Sequence, residues 1–202
     1  MIILAVDTSY HGCVIALKVG DLVTKHRLDL RPDQLTTTLS TQLIPLVLEM
    51  CEAAGISLSQ VTHIAATTGP ASFTGLRITL SALQGITLAN KAKVYSTTRL
   101  HLLAYHLMQE IQGERTISID NQRSGSFIQT FHKETIEALP QAISEVNVIE
   151  GIAESEDELS LSNVNLAVSL LDFALGDNSI AWGGVEQLVP FYGHTPTFKK
   201  KF

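Results

Sequence analysis

Residues 2–6, Ile-Ile-Leu-Ala-Val, are an unbroken apolar run closed by Asp7-Thr8-Ser9, the pattern of a strand buried on both faces. Residues 13–19 predict a second strand. Gly20-Asp21 predicts a two-residue hairpin turn whose glycine supplies a positive φ. Residues 22–30 alternate well enough for a third strand with one wet face. The period then changes. Over residues 34–54, at about 100° per residue, Leu35, Leu39, Leu43, Leu46, Val47, Met50, Ala53 and Ala54 form one broad apolar face, with Thr37, Thr38, Thr41, Glu49 and Glu52 opposite. Asp33, after Pro32, suits the N-cap of this helix. Pro45 lies inside the pattern, lacks an N–H, and predicts a kink or break at about residues 41–44. The stripe is wider than a helix resting on one sheet needs, so part of it is expected to meet a second helix.

A further apolar run, His63-Ile64-Ala65-Ala66-Thr67-Thr68, predicts a buried strand that stops at the turn pair Gly69-Pro70. From Thr74 the spacing is helical again. Leu76, Leu80 and Leu83 share one face, and Ile78, Ala82, Ile86 and Ala89 the opposite one. Ser72 or Thr74 is placed to cap this helix. With apolar residues on two sides and Gly85 offering close approach, it belongs in the middle of its protein or is shared with another chain. A glycine-bounded turn feeding a helix N-terminus could hold an anion. No lysine follows Gly75, so it is not a phosphate loop of the G-x-x-x-x-G-K-[ST] type.

Residues 94–96 predict a short strand, and Thr97-Thr98-Arg99-Leu100 starts a helix expected to reach about Gln109. His101 and His106 are five apart, about 140° around a helix, so they are not an i, i+4 chelating pair. Strand, turn and strand follow over 116–120, 121–125 and 126–131, with Asp120 placed to stabilise the turn or to make an interlobe contact. Beyond Lys133 the pattern thins: residues 139–149, 159–171 and 179–182 read as elements of a small α/β lobe. Glu154-Ser155-Glu156-Asp157-Glu158 reads as a solvated loop.

The length, 202 residues with 45% hydrophobic content, suits one large domain or two lobes divided at 1–97 and 98–202. Charge separates them. Residues 1–97 carry 7 Lys/Arg against 6 Asp/Glu, and residues 98–202 carry 7 against 14, so the second lobe is a poor grip for phosphates. Lys199-Lys200-Lys201 reads as a solvated tail. No run approaches the roughly 20 apolar residues of a membrane span. Met1 leads into the first strand without a basic n-region, so neither a signal peptide nor a membrane location is expected, and the expected location is the cytoplasm. Cys13 and Cys51 fall in a strand and a helix and read as reduced, buried thiols.

Gly69-Pro70-Ala71-Ser72-Phe73-Thr74-Gly75-Leu76-Arg77-Ile78 resembles the GPGSFTGLRIG signature of the TsaB (YeaZ) family, with Ala71 where the family has glycine. That family helps to build threonylcarbamoyladenosine into tRNA. Other segments are similar too: the Asp7-Thr8-Ser9 strand end, the Leu43-Ile44-Pro45-Leu46 helix segment (with Ser40 for a frequent histidine), and Asp120 with Arg123. So is the closing Leu188-Val189-Pro190-Phe191-Tyr192 with Pro196, where Gly193-His194 replace Leu-Arg. The resemblance implies an α/β, actin-like ATPase (ribonuclease-H-like) fold of two lobes, each with a mixed sheet and flanking helices. The order of elements agrees. It also implies a non-catalytic subunit that pairs with and activates a TsaD-like transferase acting on adenosine 37 of tRNA. A TsaE-like ATPase would be a further partner, with a homodimer when alone and tRNA reached through the complex. The partner interface would be Leu35, Leu39, Leu43, Leu46, Val47, Met50, Leu76, Leu80 and Leu83. The signature loop would comprise Gly69, Pro70, Ser72, Phe73, Thr74, Gly75 and Arg77. The catalytic relatives' metal-binding histidine pair has no counterpart here, and no cofactor is assigned to the chain itself, with ATP admitted only in the complex.

Two other readings stay open. Asp7, Thr8 and Ser9 are the position of a nucleotide site in the superfamily, so with Ser72 to Gly75 they could serve a nucleotide-handling or peptidase-like enzyme. Without a glycine beside them, they also read as the tie at the end of strand one through turn hydrogen bonds. Direct tRNA contact through Arg77, Arg31 or the terminal lysines is the third.

Overall fold

The structure is a computed structural model that describes residues 1–8, 12–29, 35–108, 114–120, 126–132, 147–149, 166–176 and 182–192. Its first sheet is built by β1 (Ile2–Thr8), β2 (Gly12–Val19), β3 (Leu22–Asp29), β4 (His63–Thr67) and β5 (Lys93–Thr97). The order is β3-β2-β1-β4-β5. The first three strands are antiparallel neighbours, β2 and β3 joined by the hairpin at Gly20 (φ 58°). β4 and β5 add in parallel, with Ala5 opposite Ala65 and Ala65 opposite Tyr95. The sheet is therefore mixed. Its central strands are near-continuous apolar runs because both faces are covered.

One face (Leu4, Val6, Cys13, Ile15, Leu17) packs under α1 (Leu35–Ala53) and α2 (Phe73–Asn90). The other (Ile3, Ala5, Val14, Ala16, Ala65, Tyr95) packs under α3 (Arg99–Met108) and α4 (Leu166–Gly176). A second sheet, β6 (Glu114–Asp120), β7 (Ser126–His132) and β8 (Asn147–Ile149), is antiparallel throughout its described strands. It joins the second core through Ile117, Ile119, Phe127 and Phe131.

Several expectations change. α1 runs without a break through Pro45. Thr41 and Pro45 are exposed, so the carbonyl that loses its partner, four residues back, faces water rather than an apolar interior. Part of α1 does meet a second helix, as its wide stripe predicts, and that helix is α2 of the same chain. β3 is wet on both faces, and it ends the sheet with Lys25 and His26 outward, a charged edge that discourages pairing with another chain. Ser72 stands at the N-cap of α2 but makes no side-chain hydrogen bond, and Thr74 lies within the helix. Residues 182–192, expected with the second lobe, return to the first sheet, where Gly183 pairs with Val94 outside β5 and Leu188 is fully buried. No described helix is long and apolar enough to cross a membrane. Arg31, Asp33, Arg123, the acidic 154–158 stretch and the terminal lysines lie outside the described residues, as do Ser9 and the side chains of Leu35 and Asp120.

Candidate functional site

Three parallel strands end in polar pairs: Asp7-Thr8 on β1, Thr67-Thr68 on β4 and Thr97-Thr98 on β5. Carboxyl ends of strands are where open α/β sheets bind ligands. Here that end is filled by contacts within the chain. Asp7 is 2% exposed. Its Oδ1 accepts from the Thr67 hydroxyl at 2.6 Å and its Oδ2 from Arg99 Nε at 3.3 Å. The Thr8 hydroxyl donates to Thr79 on α2 at 2.9 Å. A buried carboxylate that holds a guanidinium and a hydroxyl has its charge compensated internally. Asp7 and Thr8 thus tie β1 to β4, α2 and the start of α3 through side chains 60 to 92 positions away in the chain, not through the local turn hydrogen bonds expected for them. Arg99 and Thr67 are not among the expected site residues, although Thr67 lies in one of the polar pairs that close the apolar runs and Arg99 directly follows another.

His101 and His106 make contacts within the fold. Thr98 caps α3 by accepting from the His101 backbone N–H at 3.1 Å. The His101 ring meets the Thr97 hydroxyl at 3.0 Å and stacks on Phe131 at 5.9 Å. His106 pairs with Ser169 across to α4 at 3.0 Å. Both cysteines are free and buried. Burial pushes the Cys13 thiol up to about 12, with the Asp7 charge adding and a hydrogen bond from Thr8 opposing. A thiol held protonated in this way is a poor nucleophile. Among the described residues, no three His, Cys, Asp or Glu side chains converge as a metal site.

The signature loop is a junction. Gly69 has φ 116°, precedes a cis Pro70, and carries a carbonyl that accepts from the Arg99 backbone N–H at 2.6 Å. A Cβ at Gly69 would fall inside contact distance of the Phe191 carbonyl oxygen and 3.0 Å from a Leu76 methyl. Glycine is therefore required there. Ala71, the departure from the signature, is 9% exposed and packs into the first core. Its φ is not positive, so alanine fits. Phe73 and Arg77 project outward and meet Tyr192: Arg77 Nε donates to the Tyr192 hydroxyl at 2.8 Å, and its guanidinium lies 4.4 Å over the Phe73 ring. Arg77 is thus engaged with the chain's own end.

The expected partner residues are core residues. Leu39, Leu43, Val47, Leu76, Leu80 and Leu83 are each at most 2% exposed and Met50 is 8%. Leu46 is half-buried against the same cluster. Amphipathic spacing identifies the side of a helix that leaves water, not what covers it, and here the chain's own sheet covers it. What faces outward on these helices is Leu48 (47% exposed), Phe73 (40%) and Leu88 (67%). Gly85 is exposed, with open space where its side chain would be. A charge at Leu39 would therefore break the core, and it cannot serve as a docking probe.

A family model described as TsaD, tRNA N6-adenosine threonylcarbamoyltransferase, matches residues 30–156. The tRNA threonylcarbamoyladenosine biosynthesis protein TsaB of Escherichia coli (strain K12) is 29% identical over 125 residues, 62% of this chain and 52% of that protein. That of Haemophilus influenzae Rd is 28% identical over 122 residues, 60% and 49%. The chain spans about half the length of the curated relatives it matches. Among solved structures, YeaZ from Pseudomonas aeruginosa superposes with a TM-score of 0.69 at 20% identity, covering 95% of this chain and 99% of that one. A second structure, described as similar to the peptidase YEAZ from the same organism, gives 0.69 at 21%, covering 96% and 99%. At such identities the likeness is one of fold, and it supports the actin-like, ribonuclease-H-like architecture.

Proposed function

The chain belongs to the TsaB (YeaZ) family, within the domain that the TsaD model describes, and on that premise we propose that it is a non-catalytic subunit of tRNA threonylcarbamoyladenosine synthesis. In this reading it docks on a TsaD-like transferase and activates it, in the cytoplasm. A TsaE-like ATPase joins the assembly, tRNA is reached through the complex, and a second copy takes the transferase's place when the chain is alone. Any ATP is bound in the assembly rather than at Asp7.

The observation that carries the reading is the outer ridge of α1 and α2. Leu48 on α1 and Leu88 on α2 are 47% and 67% exposed, Ile44, Ile78 and Ala82 on the same helices are half-buried, and Gly85 has open space where a side chain would stand. Exposed apolar residues gathered on one pair of helices mark a surface that gains by being covered. The strand ends support the other half of the reading, since the Asp7 carboxylate is already committed to Arg99 and Thr67. The enzyme alternative needs that carboxylate free.

The test is reconstitution with the cognate TsaD-type and TsaE-type subunits, tRNA, ATP and an activated threonylcarbamoyl donor. Modified adenosine is expected only when this chain is added, and calorimetry of the isolated chain with magnesium and ATP is expected to show no binding heat. Modification at full rate without the chain, or turnover by the chain alone, overturns the proposal.

A further inference from the structure

α2 begins without a cap of its own. Ser72 offers its first turn no side-chain hydrogen bond, although helix starts leave backbone N–H groups that a cap normally serves. The turn is instead fastened by residues from the far end of the chain. Arg77 Nε donates to the Tyr192 hydroxyl at 2.8 Å, the Phe73 and Tyr192 rings lie 4.7 Å apart, and the Arg77 guanidinium covers Phe73 at 4.4 Å. Two helical turns beyond Arg77, the Gln84 amide donates to the Leu188 carbonyl at 2.9 Å.

The strap that supplies these partners is itself anchored. Gly183 and Val94 exchange backbone hydrogen bonds at 2.8 and 2.9 Å, Ser96 donates to the Gln187 carbonyl at 2.8 Å, and the Phe191 N–H donates to the Thr68 carbonyl at 2.7 Å. Strap and loop are so close that only glycine fits at position 69. At about 100° per residue, Phe73, Arg77 and Gln84 lie on the flank of α2 that meets the strap. Ile78 and Ala82 lie toward the other flank, and Thr74, Ser81, Gly85 and Leu88 stand between. Val189, 61% exposed, follows Leu188 on the strap.

We propose that the Phe73–Arg77–Tyr192 clasp is a positioning device for the docking face. It fastens the strap to the uncapped turn of α2, sets the attitude of the ridge, and brings Val189 into the surface that the TsaD-type partner covers. This rests on the docking reading given above. The three side chains are partly exposed, so their effect on global stability is small and their effect on the order of the helix start is large.

The experiment measures two quantities for Arg77→Gln, Tyr192→Phe and the double variant. These are hydrogen exchange of the amides of residues 73–77 in the isolated protein, and affinity for the cognate TsaD-type subunit, with Leu88→Asp as the reference. Each single change is expected to weaken affinity about fivefold, and the double change no more than the larger single one, because the groups act as one unit. Exchange over 73–77 quickens about tenfold with the thermal midpoint almost unmoved. Val189→Asp is expected to weaken affinity about tenfold with exchange over 73–77 unchanged. Clasp variants that bind like the wild type while Leu88→Asp does not, or effects that simply add with exchange unaltered, overturn the clasp and leave the docking reading standing. Undiminished binding by Leu88→Asp overturns the docking reading, and the clasp with it.

Discussion

Gly69→Ala is expected to lower the thermal midpoint by roughly 10 °C, corresponding to about 4 kcal/mol in a domain of this size. Two costs combine. A φ of 116° lies where alanine is strained by about 1–3 kcal/mol. The added methyl also meets the Phe191 backbone carbonyl and Leu76, and forcing extra volume into packed surroundings costs about 1–3 kcal/mol more. Phe191 gives way by releasing its hydrogen bond to Thr68. The strap should therefore loosen before the sheet does, and hydrogen exchange over residues 183–192 should quicken more than over β1. Calorimetry with exchange mass spectrometry checks both. An unchanged midpoint would show that strap and loop do not lie against each other as described.

Arg99→Ala is the second large effect. The Asp7 side chain is 3% exposed and that of Arg99 11%, so removing the guanidinium leaves a buried carboxylate with only Thr67 for company. Breaking a buried pair from one side costs about 3–5 kcal/mol, chiefly because the surviving charge is uncompensated. Removing both charges is milder. Asp7→Asn combined with Arg99→Met should recover most of the loss, so the double variant is expected to be more stable than Arg99→Ala alone. Urea titrations of the variants decide it. Additive losses would mean that Asp7 and Arg99 are not partners, and the Asp7 carboxylate would again be available to a ligand.

Local signals and long-range contacts were legible in the sequence to very different degrees. β1, β4 and the β2–β3 hairpin could be read because an unbroken apolar run or a glycine turn leaves few alternatives. α2 could be read for its 3.6-residue spacing and its glycine-proline stop. The Asp7–Arg99 pair spans 92 positions and Arg77–Tyr192 spans 115, and no local pattern carries such separations. The strap was misplaced for that reason: residues 182–192 are too short to show a period, and their partners lie in β5 and α2. The expected interface failed differently. Leu39, Leu43 and Leu80 leave water as their spacing says, but beneath the chain's own sheet, and the large apolar residues these two helices expose, Leu48 and Leu88, lie away from that stripe. Pro45 does not break α1, and whether its freed carbonyl is wet, on which that outcome depends, is not written in the sequence.

The central claim is that this chain contributes a surface and not a reaction. Apolar area covered at a partner contact contributes roughly 25 cal/mol per Å², and only the surplus over lost freedom appears as affinity. A few well-placed exposed side chains should then dominate. The most direct measurement is sedimentation velocity of the purified chain mixed with its cognate TsaD-type subunit, for the wild type and for Leu48→Asp with Leu88→Asp. A one-to-one complex for the wild type, lost in the variant while its circular dichroism and thermal midpoint stay native, is the predicted result. A wild-type chain that sediments alone beside that subunit, or a variant that binds as tightly as the wild type, would contradict it.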